Sequence, residues 1–497
     1  MQLNKLLQQA QQDIQNGHIE RAINQLNVFI ESDSSKFEVW KLLGYAYHQA
    51  QLEPEAAKAL QQALKLKPND YDSAMAYAQS RYLAGFDAQD AFLQVIKIAP
   101  TDLNALRGYA SALVADQQVD KADAILSAVL RDCPDWLDGH KLLTTQRYTS
   151  GKTQTVTHSY QQACRAQPQN LHLWLAWYQA TAQIKDWSRA LQIIQQAEKY
   201  FANNIELKVA RTFIASESGD DKLAENLFIQ TANINHVVRD MAYLRFCLKK
   251  GDISKAEKVA LTYVNTESAA VFWPYLTLIW RLQDNTKAQW LDNPALIKSY
   301  DIDLTAKQMA ELGATLRHLH TASAPFAEQS VRGGTQTNQN LFLRHEPIIR
   351  QLKHSIERQI CRYNQELPLL DADHPLNTAN REQIKNGMIQ FSGSWSVRLQ
   401  AQGFNVSHTH PLGWISSALY IDLPKKTEMG TPPAGWLKFG TPPPELNIEL
   451  DPVNTIEPKI GRLVLFPSYS WHSTVPFNEG ERLVVAFDVA RTNKRIN

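Results

Sequence analysis

The fold of the C-terminal half is decided by two stretches: HTHPLGWISSALYIDLP at residues 408–424 and GRLVLFPSYSWHSTVPFNEGERLVVAFDV at residues 461–489. His408 and His410 are two residues apart, and residues i and i+2 of a strand point to the same face of a sheet. His472 ends an apolar run in the second stretch and can supply a third imidazole. Three imidazoles leave open positions on a first-row metal ion, so the pattern predicts a catalytic metal site.

Length and composition limit the class of protein and its partners. A chain of 497 residues predicts about two to four domains. Its 51 basic residues balance 50 acidic ones, so charge points neither to nucleic acid nor to an anionic membrane as the main partner. The first residues lack the apolar core of a signal peptide, and the four cysteines form no Cys-x-x-Cys pair. We therefore expect a soluble cytoplasmic protein with reduced thiols.

The N-terminal half carries a repeat of about 34 residues. Its markers are four prolines with steps of 32, 34 and 34 residues, at Pro68, Pro100, Pro134 and Pro168. One unit resembles a tetratricopeptide repeat at eight positions: Trp40, Leu43, Gly44, Tyr47, Ala56, Leu60, Ala63 and Pro68. Gly44 allows two helices to approach closely, and Pro68 ends the second helix. The resemblance implies an α-solenoid of roughly seven or eight helical hairpins.

A solenoid of this kind presents a concave groove that would hold a peptide or another protein. The alternative is that the repeats serve only dimerisation or spacing. After Trp280 the 34-residue rhythm breaks, and turn residues follow. We predict a solenoid at residues 1–283, a connector at 284–300 and a second domain at 301–497.

The second domain is predicted to be α+β, which makes the whole chain a multidomain protein with an α part followed by an α+β part. Two helices are expected at residues 305–322 and 346–365, with an irregular segment at 323–342 between them. Beyond Pro368 the β-branched and aromatic content rises, and turns recur about every ten residues. This pattern is typical of an antiparallel sandwich or a small barrel, with strands that include residues 387–399 and 404–410.

The order of motifs in this domain resembles the double-stranded β-helix (jelly roll) of the Fe(II)- and 2-oxoglutarate-dependent oxygenases. The motifs are His-x-His, a strand ending in Tyr-Ile-Asp, Gly-x-Leu-x-Leu-Phe-Pro-Ser, His472 and Arg482. The chain is similar in particular to oxygenase domains that bacteria attach to tetratricopeptide arrays, and distantly to prolyl hydroxylases. The likeness covers about the last 200 residues and extends to RGGTQT at residues 332–337.

The resemblance implies a dioxygenase that uses Fe(II), 2-oxoglutarate and dioxygen. His408, His410 and His472 would hold the metal. Arg482 would grip the far carboxylate of 2-oxoglutarate, because a guanidinium fork matches a carboxylate bidentately, and the Tyr420 hydroxyl would bind the same group. The product would be a hydroxylated peptide or protein side chain, on a substrate that the repeats dock.

One position departs from the family pattern. Family members usually have His-x-Asp or His-x-Glu, whereas this chain has His410 at the carboxylate position. Three hypotheses stay open: a three-histidine metal face, a metal held by His408 and His472 alone, or a site without iron. Two other functions also stay open, namely a cupin-type three-histidine metalloprotein that does not use 2-oxoglutarate and a non-catalytic interaction scaffold. The sequence predicts neither the substrate nor the oligomeric state.

Overall fold

The computed structural model describes residues 3–322, 324 and 329–491. Two compact units make up the chain: Met1–Gln146 with Gln339–Gln351, and Arg147–Asn338 with Leu352–Asn497. Each unit combines segments that are distant in sequence, whereas the predicted domains are continuous. The predicted domain boundaries therefore stay a prediction.

The first unit is helical. Its helices are α1 (Leu3–Gln15), α2 (Ile19–Ser32), α3 (Phe37–Gln49), α4 (Glu53–Leu66), α5 (Tyr71–Leu83), α6 (Gln89–Ile98), α7 (Leu103–Ala115), α8 (Val119–Asp132) and most of α9 (Leu137–Thr149). Small residues let neighbouring helices pack closely: a Cβ placed on Gly44 of α3 would lie 2.5 Å from Cγ of Leu60 in α4. Such a contact is sterically forbidden, so the glycine is needed for this packing.

The second unit begins with eight more helices of the same length class. They are α10 (His158–Ala166), α11 (Leu171–Gln183), α12 (Trp187–Glu198), α13 (Ile205–Ser218), α14 (Asp221–Gln230), α15 (Val237–Lys249), α16 (Ile253–Leu261) and α17 (Ala269–Leu282). The four repeat prolines each lie two positions after a helix, as Pro68 does after Leu66. A proline there cannot continue the helix and prepares the turn to the next one. The predicted helix-rich N-terminal half is confirmed.

The rest of the second unit contains antiparallel strands and further helices of 4 to 20 residues. The helices are α18 (Ala288–Leu291), α19 (Ala306–Leu319), α20 (Pro347–Glu366, which begins in the first unit), α21 (Asn380–Lys385) and α22 (Lys426–Met429). The strands are β1 (Lys298–Asp301), β2 (Val331–Gln336), β3 (Phe391–Asn405), β4 (Gly413–Asp422), β5 (Leu437–Phe439), β6 (Asn454–Ile456), β7 (Arg462–Pro467), β8 (His472–Thr474) and β9 (Arg482–Ala490).

These strands form two antiparallel sheets. The larger has the order β1-β7-β4-β9-β3-β2, and the smaller has the order β6-β5-β8. β4 and β9 are buried along most of their length, since both are central strands of the larger sheet. The predicted antiparallel C-terminal part is therefore confirmed.

Helix α17 packs against the segment that leads into β8. The indole of Trp471 donates a hydrogen bond of 2.7 Å to the carbonyl of Pro274, and its ring meets Tyr275 edge-on at 5.5 Å. Two residues earlier, the Tyr469 hydroxyl donates to the Leu291 carbonyl at 3.1 Å. Two buried aromatic residues thus fix this segment to the helices that precede the sheets.

Two secondary-structure predictions are wrong, and one strand lies where the sequence predicts a connector. The segment predicted as irregular contains β2, which pairs with β3; its residues 323 and 325–328 lie outside the described part of the chain. β1 starts at Lys298, inside the predicted connector, and pairs with β7. Instead of two strands at residues 387–399 and 404–410, a single strand β3 runs from Phe391 to Asn405, and it ends before His408.

Candidate metal centre

Three histidines converge at one point of the second unit. One ligand nitrogen from each of His408, His410 and His472 lies within 4.8 Å of the other two. The ring centroids of His408 and His472 are 4.2 Å apart, and that of His410 is 5.0 and 5.1 Å from them. Among the described residues, these three side chains form a group that could hold a metal ion. Its nitrogen donors suit first-row transition metals.

Backbone hydrogen bonds hold the three histidines in place, although only His472, the first residue of β8, belongs to a regular strand. His408 and His472 exchange two backbone N–H to carbonyl hydrogen bonds, each of 3.1 Å. His410 donates its backbone N–H to the carbonyl of Ser468 at 2.9 Å. His408 and His410 were predicted to share one face of a strand. That prediction is wrong, because neither residue lies in a regular strand. Both lie in the connection between β3 and β4, which is paired with the chain around β8.

Each histidine has an oxygen atom beside its Nδ1. Nδ1 of His408 lies 2.7 Å from the Val406 carbonyl, and Nδ1 of His472 lies 3.0 Å from the Ser470 carbonyl. A carbonyl accepts but cannot donate, so these two Nδ1 atoms carry the proton and donate it. The lone pairs of the neutral rings are consequently on Nε2, the nitrogen available to a metal.

The third histidine has a carboxylate as its partner. Nδ1 of His410 lies 2.8 Å from Oδ2 of Asp488, a buried residue of β9. The other oxygen of Asp488 accepts from the Ser416 hydroxyl at 2.6 Å, and Ser416 lies 2.8 Å from the Ser468 hydroxyl. The ring of His410 also stacks on Trp395 at 5.7 Å, with 6° between the planes. His410 is therefore oriented on two sides.

Burial keeps the imidazole rings of His408 and His472 neutral at ordinary pH. It lowers the pKa of His408 from 6.5 to about 3, with a smaller contribution from the neighbouring His410. Burial, together with the two neighbouring imidazoles, also lowers the pKa of His472 well below 6.5. A metal ion at neutral pH would consequently not have to displace a proton from either ring.

Arg482 is buried near the histidines without a carboxylate partner among the described residues. It is 2% exposed, and its two terminal nitrogens donate to the Gly435 carbonyl at 3.0 Å and the Thr474 hydroxyl at 3.1 Å. Nε is buried and has no hydrogen-bond partner in the described part of the chain. An unpaired buried guanidinium is costly, as its lowered pKa reflects. This arrangement suits a bound anion.

The hydroxyl of Tyr420 is a second unpartnered atom in the same place. Tyr420 is 1% exposed, and among the described residues no group bonds its hydroxyl. Burial raises its pKa, so the phenol stays protonated and can donate. A buried donor without an acceptor costs about 1–3 kcal/mol, which a ligand oxygen would remove.

One cavity of about 260 Å³ joins these groups. His408, His410, His472, Tyr420, Arg482 and Trp395 all line it. Further polar side chains line it as well: Gln329, Ser330, Gln336, Asn405 and Thr409. The cavity therefore combines metal-ligating nitrogens, two unpartnered donors and a set of neutral polar groups. These are the components that a metal ion and a dicarboxylate require, so the residues present fit Fe(II) and 2-oxoglutarate.

Residues 393–488 match a family model. The description of that family is "Putative 2OG-Fe(II) oxygenase", and the matched range contains the three histidines, Tyr420, Arg482 and Asp488. The predicted resemblance of the C-terminal segment to this family is confirmed. No curated protein matches this chain.

Several solved structures are similar to parts of the chain. MamA from Desulfovibrio magneticus is 19% identical and covers 33% of this chain and 96% of its own, with a TM-score of 0.30. A tetratricopeptide repeat protein from Parabacteroides merdae is 11% identical and covers 42% and 82%, with a TM-score of 0.30. A prolyl-4-hydroxylase from Pseudomonas putida is 18% identical and covers 41% and 97%, with a TM-score of 0.29.

The structure brings together all five site residues that the sequence suggested. It also adds Asp488 and Thr474, which the sequence analysis missed. Asp488 follows the apolar run LVVAF and precedes Val489 and Ala490, and a charged residue in a buried strand is the signal that could have identified it. Thr474 is two residues after His472, and this proximity in sequence is the signal that could have identified it. No described helix is both long and apolar enough to cross a membrane.

Proposed function

We propose that this protein is an Fe(II)- and 2-oxoglutarate-dependent dioxygenase that hydroxylates a peptide or protein. The observation that carries the proposal is the pair of unpartnered donors, Arg482 Nε and the Tyr420 hydroxyl, in the same cavity as three histidine nitrogens. A metal site alone would not need them. A dicarboxylate that reaches from the metal to Arg482 would satisfy both.

In this proposal each side chain has a defined task. His408, His410 and His472 hold the iron through Nε2, and Arg482 and Tyr420 donate to the far carboxylate of the cosubstrate. Thr474 and the Gly435 carbonyl fix the guanidinium of Arg482 beside the cavity that the histidines line. Fe(II) with 2-oxoglutarate and dioxygen supplies the oxidative decarboxylation that hydroxylates the substrate. The buried walls exclude water from this reaction.

The remaining polar side chains support an amide-containing substrate. Oε1 of Gln329 is buried and accepts no hydrogen bond from the described residues. Asn405 donates to Ser330 at 2.9 Å and lies beside it in the cavity lining. An unpartnered amide oxygen calls for an N–H donor, which a peptide backbone or a side-chain amide provides.

We propose that the helical repeats dock this peptide. We also propose that the protein acts in the cytoplasm and that its two sheets form a double-stranded β-helix.

Anaerobic titration of the full chain with Fe(II) and 2-oxoglutarate tests the proposal. We expect a visible charge-transfer band, and succinate once oxygen is admitted. His472→Ala should lose the band, and Arg482→Ala should weaken 2-oxoglutarate binding by at least tenfold because one buried ionic contact is lost. Arg462→Ala is the control for loss of a nearby positive charge, since Arg462 lies on β7, does not line the cavity, and donates its guanidinium to the Glu457 carbonyl at 2.7 Å. Absence of both band and succinate would refute the proposal.

The same titration separates the rival functions. A three-histidine metalloprotein that does not use 2-oxoglutarate would bind Fe(II) with no response to the dicarboxylate. A non-catalytic scaffold would bind neither. His410→Ala decides the ligand set: full iron affinity in that variant would exclude the three-histidine site.

A further inference from the structure

The position where the related oxygenases usually have a carboxylate ligand is His410 in this chain, yet a carboxylate lies directly behind that residue. Oδ2 of Asp488 is 2.8 Å from Nδ1 of His410. Asp488 is 8% exposed, and in the described part of the chain no lysine or arginine forms an ion pair with its carboxylate. Its neighbours Phe487 and Val489 are buried and apolar, so Asp488 is a charged residue in an apolar part of β9.

The surroundings hold this carboxylate in one position. Its second oxygen accepts from the Ser416 hydroxyl at 2.6 Å, and Ser468 continues the chain of hydroxyls at 2.8 Å. Gly413 makes room for it: a Cβ at that position would lie 2.4 Å from the Ser468 hydroxyl and 3.3 Å from Cβ of Asp488. Two serines and one glycine on neighbouring segments thus serve the placement of Asp488.

We infer that Asp488 is a positioning residue that orients His410 as a metal ligand. It also supplies the negative charge of the missing carboxylate ligand, from a position behind His410 rather than on the metal itself. The inference rests on the proposed metal site. A carboxylate that accepts from Nδ1–H fixes the imidazole with its lone pair on Nε2 and increases the basicity of that nitrogen. His410 and Asp488 together carry the charge of one carboxylate, so the site has the same overall charge as two histidines and one aspartate.

The two carbonyl-bonded histidines differ from His410 in this respect. His408 and His472 receive orientation from the Val406 and Ser470 carbonyls, which carry no net charge. His410 alone among the three has a carboxyl group as the partner of its Nδ1, and it occupies the position of the absent ligand. Loss of Asp488 should therefore affect metal binding both through orientation and through charge.

Anaerobic titration of the full chain with Co(II) tests this inference without cosubstrate or turnover. Loss of an outer partner of a metal-bound histidine typically costs 10–100-fold in metal affinity. We expect Asp488→Ala to lower Co(II) affinity by about 100-fold and to shift the visible Co(II) absorption bands. Asp488→Asn keeps the shape and can still accept from Nδ1, so we expect about a tenfold loss that isolates the charge.

Asp422→Asn is the matched control. It removes a carboxylate from the end of neighbouring β4, where Asp422 pairs with Arg317 and is 43% exposed. We expect its Co(II) affinity and absorption bands to equal those of the parent protein. If Asp488→Ala fails to fold, Asp488→Asn carries the comparison.

The outcomes are distinct. Unchanged Co(II) affinity and bands in both Asp488 variants would overturn the inference, even if the parent protein makes succinate. Normal affinity in Asp488→Asn with a loss in Asp488→Ala would overturn the role of charge and keep that of orientation. Co(II) binding that depends on Asp488, without any succinate, would support the inference and refute the proposed oxygenase. No Co(II) binding by the parent protein would refute both.

Discussion

At the residue scale, the candidate site contains buried polar atoms that have no hydrogen-bond partner among the described residues. The Tyr420 hydroxyl and Arg482 Nε are buried, polar and unpartnered in the described part of the chain. Most buried polar groups in proteins are bonded, because an unmade hydrogen bond costs free energy. Such atoms therefore mark positions where binding, rather than folding, accounts for the residue.

Tyr420→Phe should change stability and binding in opposite directions. Removal of a buried, unpartnered hydroxyl should raise the free energy of unfolding of the metal-free protein by about 1 kcal/mol, since its desolvation cost disappears. The same change should weaken 2-oxoglutarate binding by roughly tenfold. Urea denaturation and anaerobic titration measure the two effects. A variant that is destabilised and binds normally would show that the hydroxyl serves the fold.

His320 should make stability depend on pH. Its Nδ1 lies 2.8 Å from the Thr335 hydroxyl, and its Nε2 lies 3.0 Å from the Ser396 hydroxyl. These two contacts join the end of α19 to β2 and β3. Burial, with a smaller effect of Arg398, lowers its pKa from 6.5 to about 4. The unfolded chain therefore takes up a proton between pH 6.5 and 4 that the folded chain does not.

The stabilisation that neutral His320 provides is thus complete above pH 6.5 and is lost as the pH falls towards 4. We expect His320→Gln, whose amide can bond both hydroxyls, to lose less stability than the parent protein between about pH 7 and pH 5. Urea denaturation at the two pH values provides the measurement. Equal losses in both proteins would contradict the assigned pKa.

The sequence suggested the candidate ligand residues but not how they come together. His408, His410 and His472 were identifiable from spacing, yet a pair of backbone hydrogen bonds joins His408, in the connection between β3 and β4, to His472 at the start of β8. Spacing along the chain could not reveal that pairing. Asp488 was missed because its partner is 78 residues away, and such a distant contact leaves no local pattern.

At the element scale, the segment that enters β8 has two different sides. Trp471 faces helix α17 and donates to the Pro274 carbonyl, whereas the adjacent His472 faces the other two histidines. Successive residues of an extended chain point to opposite sides, so one short segment serves both the packing of α17 and the metal site. The sequence indicated the apolar run that becomes β7, but it indicated neither the short strand β8 nor the helix that supports it.

Trp471→Phe should reduce both stability and metal affinity. The Pro274 carbonyl would lose its indole donor, which costs about 1–3 kcal/mol, and the position of His472 would be less well fixed. Thermal unfolding and Co(II) titration measure these effects.

Trp414→Phe is a suitable comparison for that variant. Its buried indole also donates to a carbonyl, that of Leu376 at 3.1 Å, but its neighbours in sequence bind no metal in the proposed site. We expect a similar loss of stability and a smaller loss of Co(II) affinity. Equal effects on Co(II) in the two variants would argue against a specific link between Trp471 and His472.

At the scale of the whole molecule, the second compact unit combines helices and sheets. The sequence predicts that the second domain starts at residue 301. Helix α17 and most of strand β1 lie before that residue, yet α17 packs against the segment that enters β8 and β1 pairs with β7 of the larger sheet. Repeat periodicity distinguishes the helical half from the rest, because it depends on local spacing. It does not reveal which helices the sheets need.

A fragment of residues 301–497 should therefore fail to fold cooperatively. It would lack most of β1, the edge strand beside β7, and would expose Trp471 and Tyr469. A fragment that starts at residue 147 keeps these partners and should unfold in one transition. Near-ultraviolet circular dichroism and thermal unfolding compare the two. Cooperative unfolding of the shorter fragment would support the predicted boundary instead.

The two unpartnered donors beside the histidines have a consequence for the lifetime of the protein in the cell. Under the proposed function, 2-oxoglutarate binds the folded chain and not the unfolded one. Each tenfold rise in its free concentration above the dissociation constant then adds about 1.4 kcal/mol to the free energy of unfolding. Proteases degrade the unfolded population, so the abundance of the protein would follow the metabolic supply of its own cosubstrate.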